Sequence, residues 1–589
     1  MKKGFTLVEL LAVIVILAII ALIAIPQITK VVTKVRKSAS INSAYGYVDA
    51  IEKQIVQEGL KSTAVTLTNG THYVEDMSVN YKGKGPDEGV VTIEKGSVKS
   101  AKLCIGKYSI DYDGNEASIS SNSYCSSTYT VVLNINGNKQ SKELKKVNST
   151  TFEVDITNMT NMSCNNGSIP SIENNTLTIS NIYGDTECII NNSIKDTIDN
   201  LDNSEINIVM LNGETISDSL TIKEGKTVNL DLNGKTIKSI NYDNTEIDGS
   251  VYNSEDSILI VNGSVVLNNS SDTESKLLSP PSARTIDVNG GYIIINGGYY
   301  IGRQAVGSTN ANVIINDGTF DSNKYSTLTS YINGNFTINN GTFNTLQYII
   351  YNQINGIITI NEGIFNSSDI TIYNQGGTGT ININGGTFIS DNGSAIRNNS
   401  TGIINITQTD IPIYITSLAQ TWAPAIRNYG SGTINITANQ ADNCTSNSED
   451  TTIGLCIYAI GDKGVLSDTS GNSVIQNRND GGIVNIDGGT YIGGSQVISN
   501  GGTNTNIIRI QNAYIKSYGN SIQNNSAGGI INICNSIIKS TNYDLINQGT
   551  TTGTINYDTS TIFTSGDNTP VVANNLGTIN ANYTGTCTE

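Results

Sequence analysis

Val313-Ile-Ile-Asn-Asp-Gly-Thr-Phe320 returns as Phe336-Thr-Ile-Asn-Asn-Gly-Thr-Phe343, as Ile358-Thr-Ile-Asn-Glu-Gly-Ile-Phe365 and as Ile381-Asn-Ile-Asn-Gly-Gly-Thr-Phe388. The four starts lie 23, 22 and 23 residues apart, and a fixed period of this size marks a stacked-repeat architecture. The pattern continues at Ile404, Ile434, Val484, Ile508, Ile531, Ile555 and Ile579. Between Ile434 and Val484 the interval doubles, which reads as one concealed coil starting at Val465 plus a loop holding Cys444 and Cys456.

Each repeat also carries a second short strand that ends in Asn, as in Ala395-Ile-Arg-Asn398, Ala425-Ile-Arg-Asn428, Val474-Ile-Gln-Asn477 and Ser521-Ile-Gln-Asn524. Two short strands per coil, joined by Gly/Asn turns, predict a parallel β-helix over 205–589. Leucine is too scarce for a leucine-rich repeat, and a propeller blade needs about 40–45 residues. Parallel coils stack about 4.8 Å apart, so roughly fourteen of them make a rod of about 70 Å.

Repeats place identical residues one above another. Tyr300, Phe320, Phe343, Phe365 and Phe388 alternate inward with the preceding Ile pair, which predicts a stacked interior ladder rather than a sugar-binding platform. The Asn series from Asn374 to Asn547 predicts a buried amide ladder capping a turn, because a buried amide needs a partner above and below. Arg397 and Arg427 fall one residue before the ladder Asn on adjacent coils and are expected to point outward. They are either a candidate ligand-binding pair for an anionic group such as a sugar acid, or a solvated edge.

Outside the repeats the chain reads in three further parts. An apolar run from Phe5 to Ile25, interrupted only by Glu9, follows Lys2, Lys3 and Gly4. Twenty or so helical residues span about 30 Å, the thickness of a bilayer's hydrocarbon core, and the Lys pair would stay cytoplasmic. Apolar positions at helical spacing continue through Ile28, Val31, Val32, Val35, Ile41, Tyr45, Val48, Ile51 and Ile55, predicting one helix over 5–60, kinked at Pro26, that packs on a small β head at 61–127. Residues 128–193 read as a small disulfide-stapled β module. The fold class is therefore mostly β: a long N-terminal helix, a small β head, a spacer module and a parallel β-helix of about fourteen coils.

Lys-Gly-Phe-Thr-Leu-Val-Glu-Leu at 3–10 resembles the leader junction of type IV pilins and pseudopilins. The resemblance implies a leader of residues 1–4, cleavage after Gly4 by a prepilin peptidase, and methylation of the new N-terminus at Phe5. It also implies a membrane-held subunit that joins other pilin subunits and the pilus or secretion assembly machinery, with Glu9 facing the Phe5 amine of a neighbour. A lone carboxylate in a membrane helix costs at least about 2.5 kcal/mol unless it is paired, so Glu9 marks function. The expected location is the cell membrane, single-pass, and then the extracellular pilus surface. A type II secretion or competence pseudopilin is the alternative. Thr227-Val-Asn-Leu-Asp-Leu-Asn-Gly-Lys-Thr-Ile237 resembles the early coils of pectate-lyase-like β-helices on bacterial surfaces.

Charge and cysteine usage narrow the function classes. A net charge of −17 with 14% charged residues argues against a nucleic-acid partner. The eight cysteines form no CxxC motif; Cys104 with Cys125, Cys164 with Cys188, and Cys444 with Cys456 are the expected disulfides, leaving Cys534 and Cys587 unassigned. Disulfides suit an exported protein. His72, the sole histidine, has no ligand-type neighbours and reads as a surface residue rather than a metal site; no metal or cofactor is expected. Asp317 and Glu362 occupy one turn position two coils apart, about 10 Å by stacking, but the intervening coils carry Asn340 and Gly385. No catalytic constellation results. The expectation is a displayed rod that binds a surface, with a surface glycan as candidate partner, rather than an enzyme; a tethered polysaccharide lyase or hydrolase is the alternative.

Overall fold

The computed structural model describes residues 33–57 and 67–587, apart from 68–69, 75–76, 82–83, 121–128, 136–137, 145–148, 166–167, 174–175, 181, 183–184, 202–204, 243–255, 323, 420–422, 460–472, 479–480, 504, 549–551, 565–568 and 574–575. Gly4, Phe5, Glu9, the apolar run 5–25, Pro26 and Cys125 lie outside the described residues. Two compact units emerge: Met1–Val154 with Cys164–Ile189, and Asp155–Ser163 with Ile190–Glu589.

In the first unit, residues 33–57 are helical. Ala44, Tyr47, Val48 and Ile51 recur at helical spacing and are buried against Val91, Ile93, Leu103 and Ile110 of an antiparallel sheet. That sheet is a five-stranded meander of Gly70–Tyr73, Glu88–Glu94, Ser97–Ile105, Tyr108–Tyr112 and Ala117–Ile119. Lys95 and Gly96, both at positive φ, make the two-residue turn between its second and third strands, the conformation that matches the twist of a hairpin. One expected core position fails: Val35 is 62% exposed, because the buried cluster takes helix residues only from Ile41 to Ile55. Tyr47, absent from the expected stripe, is buried instead. Further along, Tyr129–Ile135 and Asn138–Leu144 form an antiparallel pair. Ser149–Glu153, Ile169–Glu173 and Thr176–Ser180 form a separate three-stranded antiparallel sheet, and Cys164 is bonded to Cys188.

The second unit contains a short helix, Ile194–Asp199, that the repeat reading did not anticipate. Ser193 caps it by accepting a hydrogen bond from the Asp196 N–H, which satisfies one of the free amides of the first turn. Ile194 and Ile198 enter the solenoid's apolar core.

The solenoid is a parallel β-helix, and its register follows the sequence pattern. Val313 pairs with Phe336, Phe336 with Ile358, and Ile358 with Ile381, continuing through Ile404, Ile434, Val484, Ile508, Ile531, Ile555 and Ile579. Most coils have three strands rather than two, as in Asn335–Ile338, Thr342–Thr345 and Tyr348–Asn352, while Tyr292–Gly302 and Asn312–Ser322 each serve two faces as one long strand. The repeat motif itself contains the extra corner: Gly318, Gly341 and Gly363 have φ of +132°, +134° and +131°, a region that disfavours any side chain. At Gly341 and Gly363 this corner splits the run and the aromatic half starts a second strand, whereas Tyr292–Gly302 and Asn312–Ser322 continue unbroken past it. We call the three stacks the first, second and third faces; the third is a sheet of fourteen strands, one per coil.

No coil starts at Val465. Thr433–Ala438 pairs directly with Ile483–Gly488, and Ile426–Asn428 with Ile475–Arg478. The doubled interval is one enlarged coil, whose loop from Asn439 returns to the second face at Leu455 and is tied by the Cys444–Cys456 disulfide; Val465 lies outside the described residues. Two insertions in a single coil mimic the length of two coils, so counting residues misleads while register does not.

Two kinds of ladder run through the stack. Tyr300, Phe320, Phe343, Phe365 and Phe388 are fully buried, with successive ring centroids 4.9, 5.0, 4.8 and 4.7 Å apart and planes within 13°. The asparagine ladder starts one coil earlier than expected, at Asn352. Its Nδ2 donates to Asn374 Oδ1 (3.0 Å), Asn374 to Asn398 (3.0 Å), and Asn398 to Asn428 (3.1 Å). Each amide also donates to a carbonyl in the following turn, Asn398 to Gly402 and Asn428 to Gly432. On the outside of the first face a second series runs the opposite way: Asn405 donates back to Asn382 (2.9 Å) and Asn435 back to Asn405 (3.0 Å). Only the inner amides have a turn carbonyl to satisfy as well.

Candidate functional site

Strand alternation on the third face sends Ile350, Ile372, Ile396 and Ile426 into the core and the next residue of each strand outward. The outward column therefore reads Tyr351, Tyr373, Arg397, Arg427 and Gln476 on five successive coils. Arg397 and Arg427 stand on adjacent coils of this column, as the repeat reading places them.

Aromatic rings surround the column. Tyr351 and Tyr373 are stacked at 5.5 Å, Tyr348 lies 5.3 Å from each, and Tyr325 packs edge-on to Tyr348 and Tyr351. The Arg397 guanidinium is 5.3 Å from the Tyr373 ring and 5.5 Å from the Tyr429 ring, and that of Arg427 is 4.8 Å from Tyr429. Such cation–ring contacts contribute roughly 0.5–1 kcal/mol each at exposed sites. Arg397 Nε donates to Asn399 Oδ1 (2.9 Å), and Asn399 Nδ2 to the Tyr373 hydroxyl (3.0 Å). Tyr351 donates to Gln375 Oε1.

The electrostatics of the two arginines are unusual. Among the described residues neither forms an ion pair. Burial, then repulsion from Arg397 and Arg478, lowers the Arg427 pKa from its usual value. Among the described residues Arg427 Nε and Gln476 Oε1 are both buried without a hydrogen-bond partner. Burial raises the Asp369 carboxyl, and the nearby Arg397 charge offsets part of that rise. By contrast Arg284, earlier on the same face, is neutralised by Asp287 at 2.6 Å and held by Gln304 at 2.9 Å. The tyrosine neighbours were missed in the sequence, although Tyr351 and Tyr373 occupy the same slot before the ladder Asn as Arg397 does.

The remaining candidates do not converge. Asp317 and Glu362 are both exposed. Among the described residues no group of His, Cys, Asp or Glu could hold a metal ion. A polar groove of about 420 Å³ beside the Asn439 loop is lined by Gln408, Gln440, Asp487 and Asn512, with Asp487 its one carboxylate. Cys534 and Cys587, unassigned from sequence, are bonded to each other. Cys104 is in a disulfide, and its expected partner Cys125 lies outside the described residues.

Comparison with known proteins adds one finding. Residues 1–25 match the family model of the prokaryotic N-terminal methylation motif. The class is thus defined by its two ends: a prepilin-type N-terminal motif and a parallel β-helix of about fourteen coils. No curated protein and no solved structure matches the chain. Among the described residues no helix is long and apolar enough to cross a membrane, and the run 5–25 that carries the motif is not among them.

Proposed function

We propose that the chain is a pilin-like subunit of a type IV pilus or a related pseudopilus that displays its β-helix outside the cell for surface binding. The observation that carries this reading is the methylation-motif match at residues 1–25. In it, prepilin peptidase cuts after Gly4, Phe5 becomes the methylated N-terminus, and Glu9 pairs with the Phe5 amine of a neighbouring subunit in the filament core. Mass spectrometry of the mature chain tests the processing: its N-terminal peptide should begin with N-methylated Phe5. A chain that still begins at Met1, or is cut beyond residue 25, would remove the basis of the proposal. Glu9→Val should be processed normally yet fail to enter filaments, since an unpaired amine would then be buried among apolar helices.

A second reading, a filament-borne polysaccharide lyase or hydrolase, draws on Asp369. Its raised carboxyl sits near Arg397, and acid–base groups with displaced pKa values cluster at catalytic sites. Release of reducing or unsaturated sugar ends from a polysaccharide panel by the full chain decides between the two.

A further inference from the structure

We propose that the outward column Tyr373, Arg397 and Arg427, backed by the buried Tyr351, binds an acidic polysaccharide laid along the solenoid axis, with carboxylates on the arginines and a sugar ring on Tyr373. The inference rests on the display reading above and deepens it by naming the ligand class.

Four observations lead to it. The first is geometry: the column advances one coil at a time, about 4.8 Å per step. A row of repeating side chains on an open sheet suits a repeating linear polymer better than a compact ligand, which would need a concavity. The second is charge. Arg397 and Arg427 are direct neighbours in parallel strands, neither in an ion pair among the described residues and with the Asp369 carboxyl near Arg397, in a protein of net charge −17. Two guanidinium groups held side by side bind carboxylates well, because each presents a planar fork of donors.

The third is unmet hydrogen bonding. Arg427 Nε and Gln476 Oε1 are buried and, among the described residues, unpartnered on adjacent coils, and turning either side chain outward would let the carboxylates and hydroxyls of a polar ligand pair with it. The fourth is the aromatic set. The half-buried Tyr348 and Tyr373, packed on the buried Tyr351, combine an apolar ring with a polar tip, the chemistry that suits the C–H faces and hydroxyls of a sugar. A neutral glycan would leave the arginine pair uncompensated, and a small anion would leave the tyrosines unused. A polymer of sugar acids engages both.

The test uses the detergent-solubilised full chain run through gels containing polygalacturonate, alginate or dextran. Polygalacturonate or alginate should retard the protein at low salt, and dextran should not. The pair Arg397→Gln with Arg427→Gln should weaken retardation at least tenfold, Tyr373→Ala several-fold, and Lys516→Gln, on another face, not at all. Circular dichroism confirms that each variant is folded. Equal retardation by dextran, no retardation by either acidic polymer, or retardation that persists in the double arginine variant would each overturn the proposal.

Attachment of whole cells to surfaces separates this inference from the reading it rests on. Attachment lost in cells lacking the chain but unchanged in the double variant keeps the display and rejects the column. Attachment that never needed the chain rejects the display, and the gels still decide the column.

Discussion

Arg397 and Arg427 are register partners on adjacent coils, and both guanidinium groups lie over the ring of Tyr429, at 5.5 and 4.8 Å. The shared ring partly offsets a repulsion that no ion pair relieves among the described residues, with the Asp369 carboxyl near Arg397 its one electrostatic relief. Like charges side by side in a sheet destabilise by about 0.2–1 kcal/mol. Arg427→Gln should therefore leave the unliganded protein as stable as the parent or slightly more so. Thermal melts at low salt measure this, and a clearly lower midpoint would mean that packing of the Arg427 stem outweighs the repulsion.

The two asparagine series should respond very differently to truncation. Asn398→Ala takes the acceptor from the Asn374 amide and the donors from Gly402 O and Asn428 Oδ1, all buried. Each stranded group costs about 1–3 kcal/mol. Asn405, half-buried on the outside of the first face, joins Asn382 and Asn435 alone, and substitutions at such sites usually stay within about 0.5 kcal/mol. Denaturation of the two variants side by side should show a large loss for Asn398→Ala and almost none for Asn405→Ala. Equal losses would contradict the capping role of the inner series.

Phe343 sits mid-ladder between Phe320 and Phe365 with no exposed surface. Phe343→Ala opens a cavity in the core and should cost about 3–5 kcal/mol. Each coil of a solenoid contacts only its neighbours, so the damage should stay local. Hydrogen exchange should accelerate in coils near residues 313–370 and remain slow beyond Ile508.

Acid should loosen the loop that follows Asn439. Asp442 accepts hydrogen bonds from the Thr452 hydroxyl and from the Ile453 and Thr452 amides. These hold its carboxyl at about 2, below the ordinary 3.8. A depressed carboxyl contributes stability that is present above its unfolded pKa and lost as pH falls through the folded one. Protease sensitivity of 440–454 should therefore rise between about pH 4 and 2. Asp442→Asn should remove most of that pH dependence.

The repeat was legible because stacking demands the same residue type at the same place in every coil. The periodic Ile, Phe, Gly and Asn positions therefore announced register, ladders and the buried faces together. Strand count per coil was not legible in the same way, since the corner at Gly341 and its equivalents falls inside the most regular motif. Coil count failed locally for a related reason: length alone cannot tell two insertions in one coil from a coil of their own, and only the pairing of Ile434 with Val484 separates them. The candidate site was half visible. Arg397 and Arg427 stood out as a repeated Ile-Arg-Asn, whereas Tyr325, Tyr348 and Tyr429 come from the edges of neighbouring strands and share no motif with them.

By itself, then, the sequence determined the β-helix, because its period and its inward residues are local and redundant. It also carried the methylation motif, because that signal lies in a few contiguous residues around Gly4, Phe5 and Glu9. Tertiary structure alone decided which outward side chains from different coils meet, and that meeting put Tyr351, Tyr373, Arg397 and Arg427 in one line. It also decided that Arg427 forms no ion pair among the described residues and that Cys534 joins Cys587. The physical reason is that these relationships depend on neighbours many residues apart, whose approach is set by the stacking of the coils and by no pattern within any one of them.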